Sequence, residues 1–214
     1  EIMNQLRYFL PHLLALSTSS PFWHGRDTGL KSYRSVVFEN LPRTGIPPQF
    51  DAYASYRSYA DTLLTTGSIA EPTHIWWDVR PSEKFPTLEI RIPDMCTRLE
   101  ETLCLVAIVQ AIIAKLIQLR RANQSWRLYR KHLIDENKWR ALRYGIGGKL
   151  IDFGKKEEVG FPRLVEEILT WIDDVVDELG SRREVEYAYT ILRDGTSADR
   201  QLGVYHDTGD LHAV

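Results

Sequence analysis

The sequence predicts an α+β domain. Apolar residues recur at helical spacing near both ends of the chain, and two short stretches in its middle alternate apolar and polar residues as half-buried strands do. The composition is 43% hydrophobic and 26% charged, which is ordinary for a globular protein with a hydrophobic core. The length of 214 residues suits one domain, or one large part of a bigger domain.

Charge and cysteine content narrow the function classes. The net charge of −2 gives no global reason to expect nucleic acid or an anionic membrane as a partner. The two cysteines, Cys96 and Cys104, form neither a disulfide framework nor a metal-ligand spacing. No signal peptide is visible at the start, and the expected location is the reducing cytoplasm.

The first elements are a helix, a long loop and a second helix. Leucines at helical spacing predict a helix over 2–16, with Pro11 as a kink. Residues 17–35 are rich in Ser, Thr and Gly and predict a loop, which is unusually long if it extends through 41–50. Loops of this length in compact domains are usually functional or disordered, and the aromatic residues within this one favour function. A second helix is predicted over about 49–66.

A hairpin and a buried helix occupy the middle of the chain. Residues 73–81 and 85–94 read as two strands joined by a short turn. Thr97 and Glu100 suggest a capping box that opens the next helix. The apolar run 103–119 is interrupted by polar residues and is shorter than a membrane span, which favours a buried helix.

The second half of the chain is predicted to be helical, and a basic stretch in it is followed by an acidic one. Residues 115–143 carry nine basic and two acidic side chains, a local excess of +7 by the difference. The glycines in 145–150 are expected to end that helical region, and an acidic amphipathic helix is predicted over 161–179. Further helices are predicted over about 182–193 and, as a short last helix, within 193–205.

The basic stretch 115–143 permits an RNA-binding interpretation. Aromatic residues interleave with its arginines, which is typical of surfaces that stack bases. The overall acidic balance and the acidic helix 161–179 favour the alternative, a solvated helix pair whose charge the acidic helix neutralises. We therefore expect no nucleic-acid partner.

The hairpin offers an unusual combination of charges. Asp78 and Arg80 are two residues apart on the first strand, and Glu89 and Arg91 are two apart on the second, so each strand places an acid and an arginine on one face. A solvated sheet face would explain this pattern on its own. The alternative is a site for a metal ion and a phosphate, because Mg²⁺ prefers carboxylate oxygens and phosphate suits the planar fork of arginine.

Other candidate motifs fail on their context. The loop segment "GRDTGL" and the later "GIGGK" both lack the ending and the preceding strand of a phosphate-binding loop. The six histidines show no metal-ligand spacing, and Ser17–Ser20 lacks the glycine-flanked turn of a hydrolase nucleophile. Arg34 remains notable, because it follows "TGLKSY", whose small residues let a backbone approach a ligand closely.

Four separated segments together resemble the bacterial carboxylate–amine ligases of the glutamate–cysteine ligase type 2 family. In chain order they are "LPHLLALSTSSPFWHGRDTGLKSYR", "WWDVRPSEKFPTLEIRIPD", "ENKWRALRYGIGGKLID" and "ILRDGTSADRQL". The resemblance runs over essentially the whole chain, and it makes residues 1–214 the later part of a single catalytic domain of this kind.

The resemblance implies a fold and a chemistry. The implied fold is glutamine-synthetase-like, with a curved antiparallel sheet backed by helices that binds ATP and Mg²⁺. The implied reaction phosphorylates the γ-carboxylate of glutamate, after which the amine of cysteine or another amine attacks the acyl phosphate. The implied partners are these small molecules, with no membrane, and the helices would permit a homodimer.

The resemblance also assigns roles to residues of the hairpin and the loop. Glu89 resembles a metal-binding carboxylate, and Arg91 resembles the arginine that faces the phosphoryl group. Arg34 resembles an arginine that pairs with a substrate carboxylate. Asp78 and Arg80 lie on the matching strand face as substrate- or nucleotide-binding residues. Arg143 and Arg193 lie in matching segments with no step assigned to them.

One departure keeps a second class of function open. The family's early strand with paired glutamates and its histidine-bearing strand have no counterpart here, so the sheet and its metal ligands are expected to be incomplete in these residues. A non-catalytic binding or scaffold protein that retains the fold is therefore the alternative to a ligase.

Overall fold

The structure is a computed structural model that describes residues 1–214, and it has nine α-helices around one main core. The helices pack mainly on one another, and three of the four strand pairs are antiparallel, which is the α+β pattern. The helices are α1 Ile2–Leu6, α2 Leu10–Ser17, α3 Tyr33–Glu39, α4 Tyr53–Thr65, α5 Leu99–Arg121, α6 Lys131–Tyr144, α7 Phe161–Val176, α8 Arg182–Asp194 and α9 Ser197–Thr208. The strands are β1 Phe22–Trp23, β2 Arg26–Asp27, β3 Thr44–Gly45, β4 Trp76–Trp77, β5 Val79–Pro81, β6 Leu88–Ile90, β7 Lys149–Asp152 and β8 Glu157–Gly160.

The strands pair only in twos. Strands β1–β2, β5–β6 and β7–β8 form antiparallel pairs, and β3–β4 is parallel. The α+β class is confirmed, whereas a single curved antiparallel sheet is not formed by these residues and stays a prediction. Each strand is two to four residues long, so each ladder is closed by only a few hydrogen bonds and depends on the helices beneath it.

The N-terminal helix breaks earlier than its proline predicts. A 3₁₀ turn over Arg7–Phe9 separates α1 from α2, and Pro11 lies in the first turn of α2, where its missing N–H costs nothing. Every residue of α2 is buried, because α5, α6 and α7 surround it. This helix is the centre of the core and the anchor of the loop that follows it.

Two local predictions are wrong. The loop predicted over 17–35 and 41–50 contains the short hairpin β1–β2, and helix α3 follows from Tyr33. Thr97 and Glu100 form no capping box, because α5 begins at Leu99 without a side-chain cap. Thr97 instead donates its hydroxyl to Oγ of Ser197 at 3.0 Å, so a long-range contact replaces the local one.

Helix α5 is half-buried. It is long and apolar enough to cross a membrane by length and composition, a test that core helices of soluble proteins also pass, and 39% of its most apolar window is buried inside the protein. One face packs on α7 and α8, and the opposite face lines an open groove of about 1560 Å³. The prediction of a buried helix therefore holds for one face only.

The acidic helix α7 neutralises part of the basic stretch, as the sequence indicates. Lys115, the first basic residue of that stretch, donates to Asp174 of α7 at 2.6 Å. The glycines after α6 also behave as predicted, since Gly145 ends that helix with a φ of +56°.

His12 makes the stability of the core dependent on pH. Its ring is buried among Tyr8, Phe9 and Phe161, and burial lowers its pKa from 6.5 to about 4. Between these values the unfolded chain binds more protons than the folded chain, so the free energy of unfolding falls as the pH falls. We expect this residue alone to remove about 3 kcal/mol by pH 4.

The measurement is chemical denaturation from pH 7 to pH 4 of the wild type and of His12→Gln, a neutral side chain of similar size. The difference in free energy between the two should shrink or reverse toward low pH. Parallel profiles would show that His12 does not titrate in this window.

Candidate functional site

Strands β5 and β6 place Arg80 and Glu89 directly opposite each other. Two nitrogens of Arg80, Nε and Nη2, donate to Oε2 of Glu89 at 2.9 and 2.7 Å. Its Nη1 donates to the carbonyl oxygens of Ile75 (2.8 Å) and Thr73. Arg80 is 6% exposed, so its donors are directed to partners inside the protein. The pairing holds the hairpin against the preceding turn.

Glu89 is shared by two arginines. Its second oxygen, Oε1, accepts a hydrogen bond from Nη1 of Arg91 at 2.6 Å. Burial pushes the pKa of Glu89 upward, but the hydrogen bonds and charges of Arg80 and Arg91 outweigh it and hold that pKa below its usual value. The carboxylate is therefore ionised at neutral pH and holds one end of the Arg91 guanidinium.

Asp78 does not share a face with Arg80, which corrects the alternation predicted for this strand. The ladder is interrupted between β4 and β5, and the backbone turns Asp78 toward α6. There Nζ of Lys138 contacts Oδ2 of Asp78 at 2.7 Å and Oε1 of Glu39 at 2.9 Å. Asp78 and Arg80 point to different partners because the strand is broken at Asp78, and the periodicity of the sequence does not reveal this break.

Lys138 and Asp78 form a buried ion pair, and Glu39 adds a half-exposed carboxylate to it. The side chain of Lys138 is 5% exposed and that of Asp78 is 13% exposed. Burial lowers the pKa of Lys138, but the two carboxylates more than offset this, so the net shift is upward. Burial also raises the pKa of Asp78, against the pull of Lys138. The lysine is charged, and it ties α3 and the hairpin to α6.

Arg34 and Arg91 lie side by side. The terminal nitrogens of Arg34 donate to the backbone oxygens of Arg91 at 3.0 Å and Ile92 at 3.3 Å, and one lies 3.7 Å from the carboxylate of Asp94. Both guanidinium groups face the ring of Phe38, at 5.2 Å from its centroid for Arg34 and 6.0 Å for Arg91. The structure therefore brings together two arginines that are 57 residues apart in the chain.

A small cavity joins three of the five predicted site residues. Arg34, Asp78 and Arg91 line it together with Lys138, and its volume is about 10 Å³, close to that of one water molecule. Nε of Arg91 is buried and has no hydrogen-bond partner. An orphaned donor beside three cations and two carboxylates suits a water molecule or a single oxygen of an anion. The remaining lining residues are Ser35, Phe38, Glu39, Thr44, Gly45 and Trp76.

Sequence reasoning missed Asp94. Its carboxylate accepts hydrogen bonds from the backbone N–H of Ser19 at 2.9 Å and from the hydroxyls of Ser20 at 2.7 Å and Ser32 at 2.9 Å. Its side chain is 1% exposed. Asp94 therefore fixes the start and the end of the loop that leads into α3, the helix that carries Arg34. The only sequence signal is an acid at the end of the predicted strand 85–94, and its three serine partners lie far away in the chain.

The four segments that support the family resemblance meet around this loop. The hydroxyls of Thr18 and Thr196 are 2.9 Å apart, and those of Ser19 and Ser197 are also 2.9 Å apart. The backbone oxygen of Leu142 accepts from two N–H groups of the loop. The last segment is held rigid by a capping box at the start of α9.

Arg143 and Arg193, which the sequence left without a role, differ in their surroundings. The guanidinium of Arg143 lies against Gly29, where φ is +71° and a Cβ atom would approach Nη1 to 2.8 Å. Any larger residue at Gly29 would therefore displace Arg143. Arg193 is exposed and pairs with its neighbour Asp194 at 2.7 Å. Only Arg143 lies at the loop.

These residues do not by themselves fit a magnesium ion. Both oxygens of Glu89 accept hydrogen bonds from arginines, and Asp78 is engaged by Lys138. No group of three or more His, Cys, Asp or Glu side chains is arranged to hold a metal ion. The assignment of Glu89 as a metal ligand stays a prediction, and it would require an arginine to move away.

The cysteines do not contribute a nucleophile. Burial raises the pKa of Cys96 to about 11 and that of Cys104 to about 12, so both are protonated thiols at neutral pH.

Comparison with known proteins gives a consistent result over the whole chain. A model of the glutamate–cysteine ligase family 2 matches residues 1–214. Proteins of Herpetosiphon aurantiacus and Chloroflexus aggregans are each 56% identical over 214 residues, and one of Solibacter usitatus is 54% identical. Each carries the name "Putative glutamate--cysteine ligase 2". All of this chain is covered, but only 55–56% of each relative, so the chain spans about half their length. On the match to residues 1–214, the chain belongs to the glutamate–cysteine ligase family 2.

Proposed function

We propose that the full-length protein is an ATP- and Mg²⁺-dependent carboxylate–amine ligase that forms a γ-glutamyl amide. Family membership over all 214 residues is the observation that carries the proposal. The names of the relatives support glutamate and cysteine as the substrates. The paired arginines beside a small polar cavity support it physically, since anionic oxygens are what guanidinium groups bind best.

The proposed reaction has two steps. An oxygen of the γ-carboxylate of glutamate attacks the terminal phosphorus of ATP, and the bond from that phosphorus to ADP breaks. The amine nitrogen of cysteine, or of another amine, then attacks the acyl carbon, phosphate leaves, and the nitrogen loses a proton. Both steps depend on positioning and on neutralising the charge of the phosphoryl oxygens.

Two side chains of this chain would act on the substrates directly. We assign Arg91 to the phosphoryl oxygens, because its Nε is an unused donor. We assign Arg34 to a substrate carboxylate, because its side chain is 35% exposed beside Arg91. Substrate contacts by Asp78 and Arg80 stay predictions, since both are engaged inside the protein. Magnesium enters the proposal with ATP and would need ligands beyond the carboxylates grouped here.

We expect Glu89→Gln to lower the amine-dependent rate of phosphate release by the full-length protein about 100-fold. The amide keeps one acceptor oxygen but loses the charge that holds Arg80 and Arg91, and it places an NH₂ donor against a guanidinium. The measurement is phosphate release with ATP, glutamate and a panel of amines. Glu83→Gln, an exposed glutamate in the turn of the same hairpin, is the matched control and should keep full activity.

Full activity of Glu89→Gln would show that the charge of Glu89 has no role in the reaction. Absence of any amine-dependent phosphate release by the wild type would contradict the ligase itself.

The engagement of both Glu89 oxygens favours a second candidate, a binding or scaffold protein that keeps the fold. Titration calorimetry of the full-length protein with ATP and magnesium separates the two, because a scaffold of this kind would show no binding heat. Cytoplasmic location, a homodimer and independence from nucleic acid and membranes stay predictions.

A further inference from the structure

Phe38 contacts both arginines of the candidate site. It is one helical turn after Arg34 on α3, so both side chains project from the same face of that helix. The guanidinium carbon of Arg34 is 5.2 Å from the ring centroid, and that of Arg91 is 6.0 Å away. Both distances lie within the range of a cation–π contact.

Hydrogen bonds leave the two arginines only partly restrained. Arg91 donates one side-chain hydrogen bond, to Glu89, and its Nε has no partner. Arg34 donates to two backbone oxygens of the segment that contains Arg91. In addition to these hydrogen bonds, both guanidinium groups lie within cation–π distance of one ring, that of Phe38.

Packing alone does not account for Phe38. It is half-buried, and it belongs neither to the main core nor to the smaller cluster of Tyr56, Ala60, Ile69, Ile75 and Trp77. It also lines the small cavity that Arg34 and Arg91 share. A large aromatic ring placed outside the core, against two cations, suits a role in holding them.

We propose that Phe38 is a positioning residue that fixes the separation of Arg34 and Arg91 so that together they bind two anionic groups. The weakly hydrated, planar guanidinium group stacks readily on a ring and keeps its edge free for hydrogen bonds to an anion. The identity of those anions, a phosphoryl group and a carboxylate, rests on the proposed function. The positioning itself rests only on the geometry of the three side chains.

The test compares Phe38→Leu with Phe38→Trp in the full-length protein. Leucine keeps an apolar side chain without a π face, whereas tryptophan restores the face. Phe38→Met, an unbranched and flexible apolar side chain of about the volume of leucine, serves if the leucine variant does not fold. Phe85→Leu, at an exposed phenylalanine of the β5–β6 turn, is the matched control.

Two readouts are needed. In nuclear magnetic resonance spectra of the arginine Nε–Hε groups, Phe38→Leu should remove the ring-current shifts of Arg34 and Arg91, and Phe38→Trp should retain shifted signals. In kinetics, Phe38→Leu should lower kcat/KM about tenfold with unchanged thermal stability, and Phe38→Trp should recover most of the loss.

Each outcome decides something. Unchanged arginine signals in Phe38→Leu, or a loss of activity that Phe38→Trp does not rescue, would overturn the positioning role. If the wild type releases no phosphate with any amine but the arginine signals still change in Phe38→Leu, the positioning role is supported and the ligase is overturned.

Discussion

Replacing Lys138 with methionine is expected to lower the free energy of unfolding by about 3–5 kcal/mol. Methionine fills much of the space of the lysine stem but leaves the buried carboxylate of Asp78 without its cation. A buried charge without a partner is among the most costly single changes to a folded protein. Glu39 also loses its ion pair with Lys138, but its side chain is about half exposed. Water can solvate that charge, so its share of the lost stability is smaller.

The loss should depend on pH in a defined direction. Without Lys138, the already raised pKa of Asp78 rises further, because burial is then less opposed. When the pKa of a carboxyl group is higher in the folded protein than in the unfolded chain, the folded protein binds more protons between the two values. The free energy of unfolding is then highest at low pH and falls as the pH rises through the folded-state pKa. The destabilisation of Lys138→Met relative to the wild type should therefore grow between about pH 4 and pH 7.

Denaturant unfolding of Lys138→Met and of the double variant Lys138→Met, Asp78→Asn measures this effect. The second change removes the unpaired charge and should recover a substantial part of the loss. Lys84→Met, at an exposed lysine of the hairpin turn, is the control and should change stability by less than about 0.5 kcal/mol. A double variant no more stable than the single one would show that the carboxylate is not the cause.

Replacing Asp94 with alanine is expected to lower the free energy of unfolding by about 3–5 kcal/mol as well. The change leaves the backbone N–H of Ser19 and the hydroxyls of Ser20 and Ser32 without their acceptor in a nearly closed environment. Unpaired buried donors cost roughly 1–3 kcal/mol each, and entering water recovers part of that cost. The loop that leads into α3 and Arg34 should loosen at the same time.

Thermal and denaturant unfolding test the stability, and hydrogen exchange of the backbone N–H groups over 19–34 tests the loop. Asp61→Ala is the control, because Asp61 is exposed on α4 and makes only a 3.7 Å pair with Arg57. Protection of the loop equal to that of the wild type would show that Asp94 does not hold it.

The sequence predicted most of the helices for a clear reason. Helices α5, α7 and α8 have long periodic apolar faces, and a periodicity sustained over three or more turns is a local property of the chain. Helix α3 was missed because it spans only 7 residues within a polar, glycine-containing segment. The β7–β8 hairpin was missed because each strand has four residues and little alternation.

The candidate site was predictable in part. The pairing of Arg80 with Glu89 follows from the hairpin register, which alternation and a short turn define. The separation of Asp78 from Arg80 does not follow, because it depends on an interruption of the strand and on a lysine 60 residues later in the chain. Asp94 and Phe38 gave no local signal, since their roles depend on partners brought to them by folding.

The sequence by itself determined the α+β class, the main helices, the β5–β6 hairpin and the resemblance to a ligase family, since these depend on local periodicity and on the order of motifs. Only the tertiary structure decided which charges meet: Glu89 with two arginines, Asp78 with Lys138, and Arg34 beside Arg91. Ion pairs and buried hydrogen bonds act over a few ångströms in space, so their partners are chosen by packing and not by distance along the chain.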